Sequence, residues 1–419
     1  MPVMSPDSTQ SPDARPVVTS LPSGVEPAFQ VLIACARAHL GDSTKVDGLF
    51  RATEVEEDRL LQLAQRHGLS TQLLRWVQSE EAALMTEGAR RALAQRAQEN
   101  AEHALMLVHE LTALLNLFDA QGIPVRVWKG PVLAYDLYGE TGRRTFGDLD
   151  LLVTDRHLLE ADRLLRERGY ECPLSRDEIR HLRPYWNDFV YAHPEDTRVV
   201  DLHTKLQRRA TCAQYKTSAL WQARRMVDVA GRAVPTFPEE ETFVLLCLHG
   251  TRHLWRRLGW IVDCAAWIRR QDATDWARVG RLAEKWSCQR AVDLTGRVVQ
   301  QFTGVAPPTE VAGADPANDR LVSRVCDHLD RDRLMPGRYR EHALRLRMIP
   351  SWIGRLRYLG SHLCRPAKSE VRAAGLPPSL LPLWPVIRPV GLLFRHGKRL
   401  AGILGASIKR LLVPTERSL

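Results

Sequence analysis

The feature that most constrains the fold is a change of hydrophobic period at residue 123 of 419. Before it, apolar residues recur every three or four positions, as in the segment 29–40, which indicates helices. From Ile123 to Trp128 the residues alternate and are rich in β-branched types, which predicts a short strand. Helical periodicity returns from Glu239 to Arg270, where we predict one long helix. Strands between two helical regions place the chain in the α+β class.

The predicted central region alternates strands and helices. Lys129-Gly130 follows the first strand, and Pro131 suits the first turn of a helix that continues to Tyr138. A strand is predicted from Asp148 to Val153, and a helix from about Arg156 to Arg168. The segments 189–192 and 199–203 flank a polar turn at 194–197, which predicts a hairpin.

The sequence predicts five segments. A disordered N-terminal tail is expected because the first residues are rich in Ser, Pro, Asp and Thr and lack the basic start and apolar stretch of a signal peptide. The last segment is rich in Pro and basic residues. The predicted segments are the tail 1–25, a helical N-terminal region 26–120, a mixed core 121–210, a helical C-terminal domain 211–345, and a Pro-rich and basic amphipathic tail 346–419.

Charge and cysteine usage limit the partners and the compartment. Lys and Arg number 59 and Asp and Glu 49, so the net charge of +10 favours anionic partners such as nucleotides, nucleic acid or acidic lipid. The eight cysteines are scattered singly, which fits a reducing cytoplasm. Since no stretch of about 18 apolar residues occurs, a transmembrane helix is not expected. The predicted location is the cytoplasm or a membrane surface.

Three aspartates are candidates for a metal site. Asp148 and Asp150 are two apart on a predicted strand, so their side chains project from one face. Asp201 lies among apolar residues of another predicted strand, where a charge without a partner is costly. Clustered carboxylates repel one another unless a cation such as Mg²⁺ or Mn²⁺ lies between them. The alternative is structural: a cap, a solvated strand residue and an edge charge.

Four blocks of sequence, taken in order, resemble a known family. The blocks are Trp128–Tyr138, Arg144–Val153, Val200–His203, and the set His249-Gly250, His253, Trp255, Leu258, Trp260 and Asp263. They are similar to the bacterial nucleotidyltransferase family of the polymerase-beta superfamily that is often described only as uncharacterised. The resemblance extends from about Leu111 to Arg270.

The resemblance implies a fold and a metal centre. It implies a small mixed sheet backed by helices, so that a nucleotidyltransferase core is flanked by N-terminal and C-terminal helical regions. It also implies Asp148 and Asp150 as metal ligands and Asp201 as a ligand or base. Many members of the superfamily carry a Gly-Ser turn about a dozen residues before the first aspartate. Here the turn is Lys129-Gly130 and lies further upstream, so details of triphosphate binding cannot be copied.

Three residues are candidates for nucleotide binding. Gly130 allows the backbone to approach a phosphate at the start of a helix, where free N–H groups favour anions. Lys129 would add a point charge, and Arg144 a forked set of donors for phosphate oxygens. The alternatives are a solvated strand end for Lys129 and a surface loop position for Arg144.

The pair His249 and His253 has the spacing of one helical face. A metalloprotease site needs Glu directly after the first histidine, and Gly250 stands there, so we exclude that reading. The histidines and Asp263 have either a structural or a substrate-binding role. On the same predicted helix, three arginines either face a cleft and bind an anionic substrate or are solvated; they are Arg252, Arg256 and Arg257.

The sequence supports one leading function and two alternatives. The leading hypothesis is metal-dependent transfer of a nucleoside monophosphate from an NTP to an unidentified small molecule, peptide or polysaccharide precursor. A non-catalytic nucleotide-binding or partner-binding module on the same fold is the alternative. Nucleic acid is a less favoured partner, because zinc-finger spacing and an aromatic RNA-binding signature are missing. A basic amphipathic helix predicted over 393–411 either contacts acidic lipid or a partner protein, or packs on the body.

Overall fold

The computed structural model describes residues 24–41, 46–52, 54–78, 85–206, 217–270, 273–313, 316–330, 338–349, 351–365, 370–371 and 377–391. Nearly all of the predicted N-terminal tail lies outside these ranges, as does the amphipathic helix predicted over 393–411.

A four-stranded mixed sheet forms the centre of the protein. Its strands are β1 (Val125–Trp128), β2 (Leu149–Val153), β3 (Asp188–Ala192) and β4 (Val199–His203). The spatial order is β1-β2-β4-β3, in which β2 and β4 run parallel while the outer pairs are antiparallel. The predicted hairpin is therefore confirmed as β3 and β4. A second sheet pairs β5 (Arg225–Val229) with β6 (Arg232–Thr236).

Along the chain, helices precede, interrupt and follow the strands of the central sheet. The preceding helices are α1 (Pro27–His39), α2 (Val46–Ala52), α3 (Glu57–His67), α4 (Ser70–Val77) and α5 (Glu87–Ala120). Within the core are α6 (Gly130–Tyr138), α7 (Leu158–Glu167) and α8 (Arg176–Leu182). The following helices are α9 (Glu239–Arg252), α10 (Leu258–Arg269), α11 (Trp276–Lys285), α12 (Gln289–Thr303), α13 (Pro316–Asp330), α14 (Arg338–Met348) and α15 (Trp352–Cys364). The prediction of an α+β chain with a small mixed sheet and helical flanks is confirmed.

The long helix predicted from Glu239 to Arg270 is wrong in one respect, because the structure breaks it into α9 and α10. Leu254 and Trp255 have φ of 55° and 52°, which a continuing right-handed helix does not allow. The Trp255 amide donates to the Gly250 carbonyl at 2.8 Å. This turn lets the buried Trp255 ring fold back over Gly250, where a side chain would collide with it. Periodicity did not reveal the break because apolar residues continue through it.

Two hydrophobic clusters hold these elements together. In the first, α1, α3 and α4 pack with α9, α10 and α12, so the N-terminal and C-terminal helices share one core. In the second, the apolar faces of the central sheet pack against α5, α7 and α8. The opposite pleats of β1 and β2 put Trp128 and Leu152 into the first cluster. The sheet is therefore fixed between the two cores. The division of the chain into five segments stays a prediction.

The described helices were also considered as membrane spans by their length and apolar character. None of them combines the length and the apolar character needed to cross a bilayer.

Candidate functional site

Two adjacent parallel strands bring acidic side chains together. In the register of β2 and β4, Asp150 lies opposite Asp201, so both project from the same face of the sheet. His203 is two residues beyond Asp201 and shares that face. Its Nε2 lies 2.9 Å from Asp150 Oδ1. Asp150 is only 2% exposed, so its charge is almost fully removed from water.

The donor set fits a divalent cation. Ligand atoms of Asp150, Asp201 and His203 lie within 4.8 Å of one another. Burial, together with the Asp150 carboxylate, raises the pKa of Asp201 to about 6. Both removal from water and a neighbouring like charge disfavour the ionised form of a carboxylate. Two carboxylate oxygens and an imidazole nitrogen suit Mn²⁺, and Mg²⁺ when waters and substrate oxygens complete the shell.

His203 was not among the predicted site residues, although a signal for it was present. It stands at i+2 from Asp201 in the same predicted strand, the spacing that placed Asp148 beside Asp150. The sequence alone did not show that β2 and β4 are neighbours, and that pairing brings the imidazole to Asp150.

Asp148 occupies a different position from the other two aspartates. It directly precedes β2, which begins at Leu149. Burial and then the Asp150 carboxylate raise the pKa of Asp148, so the two acids are close enough to interact. In the part of the chain that the structure describes, the closest three-ligand grouping contains His203 and does not contain Asp148.

The Lys129-Gly130 turn supplies a cation to the carboxylates. It joins β1 to α6, as predicted, and Lys129 Nζ lies 2.9 Å from Asp150 Oδ2. Although burial alone would raise the pKa of Asp150, Lys129 and His203 hold it at about 2. Asp150 is therefore ionised at neutral pH.

The backbone of Lys129 is strained. Its φ of 58° and ψ of −146° belong to a region that residues other than glycine rarely adopt. Gly130 also has a positive φ, of 46°, and a Cβ there would lie 3.1 Å from the Asp148 carbonyl oxygen. The turn thus brings the backbone close to β2 and directs the lysine toward Asp150. Strain of this kind, about 1–3 kcal/mol per residue, persists where the surrounding structure enforces it and is frequent at functional sites.

Arg144 is held by a buried acid. Its Nε donates to Asp263 Oδ2 at 2.9 Å, and both side chains are less than 9% exposed. The Tyr138 hydroxyl donates to the other oxygen of Asp263 at 3.0 Å. Arg144 also donates from a terminal nitrogen to the Gly130 carbonyl at 3.4 Å. The structure thus ties the predicted phosphate-binding arginine to α10 and to the lysine turn.

Histidine and tryptophan rings also line the site. His249 lies edge-on to Trp128 and to Trp260, with ring centroids 5.8 Å and 4.7 Å away. The His253 ring is 4.7 Å from His249. Burial, then the neighbouring cations, lowers the pKa of His249 well below its usual value and that of His253 to about 3. Both imidazoles are therefore neutral at pH 7, and they are available as hydrogen-bond partners.

Three arginines lie at the junction of α9 and α10. The prediction put them on one helix, whereas Arg252 ends α9, Arg256 lies in the turn and Arg257 precedes α10. The guanidinium groups of Arg256 and Arg257 lie 6.0 Å and 5.8 Å from the Trp260 ring. All three line the cavity described next, which favours the cleft-facing interpretation.

One cavity of about 420 Å³ joins these groups. Its wall includes every predicted site residue except Asp263, which lies behind Arg144. Its lining combines the three candidate aspartates with Lys129 and four arginines. Such a cavity suits a ligand that carries several negative charges together with metal ions.

Comparisons with known proteins identify the family. Residues 53–304 match a family model described as "uncharacterised nucleotidyltransferase". A search of curated proteins found no match. Among solved structures, the chain is similar to the crystal structure of an antigenic nucleotidyltransferase-like protein from Paracoccidioides brasiliensis, at 16% identity and a TM-score of 0.30, over 51% of this chain and 97% of that one. Since the family model covers more than half of its length, the chain belongs to the uncharacterised nucleotidyltransferases, a family of enzymes.

Proposed function

We propose that the protein transfers a nucleoside monophosphate from an NTP to a hydroxyl or similar group of an acceptor, in a reaction that needs Mg²⁺ or Mn²⁺. The observation that carries this proposal is the pairing of Asp150 with Asp201 on adjacent strands, beside His203 and inside a cavity that Lys129 and four arginines also line. The proposal includes the polymerase-beta-like role of the carboxylates that the sequence resemblance implies.

The acidic wall would hold the metal. Asp150, Asp201 and His203 are the proposed ligands, and Asp148 is a further ligand from the end of the preceding loop. These residues would hold a divalent ion that would neutralise charge at the triphosphate and would lower the pKa of an attacking hydroxyl. Asp201, which the resemblance implies as a ligand or base, is also proposed to accept the proton of that hydroxyl.

The lysine turn and Arg144 would bind phosphate oxygens. The N-terminus of α6 offers free backbone N–H groups at Gly130, and anions bind favourably at such ends. Lys129 contacts Asp150 in this structure, so a bound phosphate would share the ammonium group with that carboxylate. Arg144, fixed by Asp263, presents its remaining donors beside the same turn.

The wall formed at the junction of α9 and α10 would hold the rest of the substrate. Arg252, Arg256 and Arg257 are proposed to neutralise the pyrophosphate leaving group. The neutral His249 and His253 would donate or accept single hydrogen bonds without adding charge. Direct help from the protein is mainly positioning and electrostatic stabilisation, which suits phosphoryl chemistry.

The bond changes balance without a further reactant. An acceptor oxygen forms a bond to the α-phosphorus, and the bond from that phosphorus to the α,β-bridging oxygen breaks. Pyrophosphate leaves with the electron pair of the broken bond. The acceptor proton passes to Asp201 and then to solvent.

The test is metal-dependent release of pyrophosphate from each of the four NTPs, across a pool of candidate acceptors. The wild type is compared with Asp150→Asn and Asp201→Asn, and with Asp177→Asn, an exposed aspartate that pairs with Arg180 on α8. We expect release with Mg²⁺ or Mn²⁺ that falls at least about 100-fold in the first two variants, the scale of losing one transition-state contact. The Asp177 variant should match the wild type.

Nucleotide binding, measured by calorimetry on the same proteins, separates the remaining outcomes. Binding that needs metal and is lost in the Asp150 and Asp201 variants, without any release, would favour the non-catalytic nucleotide-binding module. If no nucleotide binds with either metal, the proposed function is wrong.

A further inference from the structure

The surface of α15 carries an apolar stripe that the described part of the chain leaves exposed. Trp352, Leu356, Leu359 and Leu363 recur at i, i+4, i+7 and i+11, so they lie on one face of the helix. Their exposed fractions range from 42% to 68%. The opposite face is buried at Tyr358, whose hydroxyl bonds to His342 on α14 at 2.8 Å. The helix is therefore attached by its other side, and its apolar stripe faces outward.

A second apolar group lies beside the end of this helix. Residues 380–390 form a 3-10 helix and a following helical segment, and they expose five large hydrophobic side chains, which are Leu380, Leu383, Val386, Ile387 and Val390. Arg388 donates to the Leu363 carbonyl at 3.1 Å and pairs with Glu370, which fixes this segment at the C-terminal end of α15. Of the 13 exposed large hydrophobic residues among the described positions, ten lie between 352 and 390. We call these ten residues the apolar surface.

The charge of the protein is concentrated in the same part of the sequence. Residues 350–419 contain 12 Lys or Arg and two Glu, a net charge of +10. This equals the net charge of the whole chain, so residues 1–349 are neutral overall. On α15, Arg355 and Arg357 are exposed and flank the apolar stripe on its two sides. Apolar and cationic groups thus occur together here, and the charge is otherwise balanced.

We propose that the apolar surface binds an anionic lipid bilayer. Apolar side chains enter the boundary between headgroups and acyl chains, while flanking cations bind acidic headgroups, as interfacial amphipathic helices do. Trp352, at the start of the stripe, is the residue type that favours this boundary. With 13 residues, α15 is about 20 Å long, too short to cross a hydrocarbon core of about 30 Å. It therefore lies along the membrane surface.

Charge argues against a second copy of the chain as the occupant, and the exposed apolar side chains argue against nucleic acid. A second copy of the chain would bring two segments of net charge +10 together, and like charges oppose that contact. Nucleic acid would satisfy the cations, but its phosphate backbone has no apolar surface to cover exposed Leu and Val side chains. An acidic bilayer meets both requirements. The inference is independent of the chemistry proposed for the cavity, because the apolar surface shares no residue with the cavity wall.

The test is flotation of the full-length protein with vesicles of phosphatidylcholine alone or with 30% phosphatidylglycerol, at about 0.1 M salt. We expect binding to the acidic vesicles only. The double substitution Leu356→Gln, Leu359→Gln should reduce the partition coefficient at least tenfold. Leu105→Gln, at a leucine of α5 that is 60% exposed, is the matched control and should bind like the wild type. Thermal unfolding and nucleotide binding of every variant should be unchanged, since the substituted side chains are exposed.

Three results would overturn the proposal. The first is no binding of the wild type to acidic vesicles. The second is binding that salt removes but the double substitution leaves intact, because other basic residues would then be responsible. The third is a dimer in analytical ultracentrifugation that the double substitution dissociates while vesicles bind neither protein. That result would assign the surface to self-association.

Discussion

Substitutions at the buried ion pair of Arg144 and Asp263 test whether Arg144 stabilises the fold around the site or only contacts the substrate. Arg144→Ala leaves the Asp263 carboxylate in a buried site with one remaining donor, the Tyr138 hydroxyl. Two unit charges about 4 Å apart attract by about 4 kcal/mol at an effective dielectric constant near 20. Breaking a buried pair by removing one partner typically costs about 3–5 kcal/mol. We therefore expect the free energy of unfolding to fall by about 3–5 kcal/mol.

The assay is urea denaturation of the wild type, Arg144→Ala, Asp263→Asn and the double variant. Asp263→Asn should lower the free energy of unfolding less than Arg144→Ala does. In the Asp263→Asn variant the buried Arg144 cation still interacts favourably with the nearby Asp148 carboxylate. The double variant should be more stable than the sum of the two single changes predicts, by at least about 2 kcal/mol, since the two residues contact each other. Arg143→Ala is the matched control. Its side chain pairs with Glu140 at the surface, and such pairs contribute about 0–1 kcal/mol.

A loss below about 1 kcal/mol for Arg144→Ala would refute the structural part of this reasoning and place the arginine among simple substrate contacts. Turnover adds a second criterion. If Arg144 also binds phosphate, Arg144→Ala should raise the KM for the NTP more than Asp263→Asn does. Equal effects of the two substitutions would indicate that the arginine acts only by holding the Lys129-Gly130 turn.

Two further predictions concern stability. Gly250→Ala should lower the free energy of unfolding by about 1–3 kcal/mol, because the new Cβ collides with the buried Trp255 ring. Gly88→Ala in α5, where the space is open, is the control and should leave the free energy of unfolding unchanged or raise it by up to about 1 kcal/mol. Equal effects of the two substitutions in thermal unfolding would contradict this prediction. Burial lowers the pKa of His67, which accepts a hydrogen bond from the Leu258 amide, from 6.5 to about 3. The unfolded chain therefore binds the proton more tightly, and stability that is complete above pH 6.5 is lost as the pH falls toward 3. His67 alone should account for about 2 kcal/mol of loss between pH 7.5 and 5, measured by urea denaturation, and His67→Asn should remove that share of the pH dependence.

The sequence predicted the elements near the site well because their signals are local. The change of period at Ile123 located β1, and Lys129-Gly130 marked the turn into α6. The alternation around Asp150 located β2 to within one residue. The hairpin of β3 and β4 followed from its polar turn. In each case the pattern and the structure that it predicts lie within about ten residues of one another, so no tertiary contact was needed.

The arginine wall of the cavity, formed at the junction of α9 and α10, could not be derived in this way, because it depends on one backbone reversal. A continuous helix from Glu239 to Arg270 would place Arg252 and Arg257 about 140° apart around the helix axis. The reversal at Leu254 and Trp255 instead places Arg252 and Arg257 on the same cavity as Asp150. The reversal depends on the packing of the Trp255 ring against Gly250, and hydrophobic periodicity does not indicate such a contact. The same reversal begins α10, whose Asp263 fixes Arg144 beside the lysine turn. A substitution that removes the reversal should therefore affect both the arginine wall and the position of Arg144, although Gly250 lies outside the cavity lining.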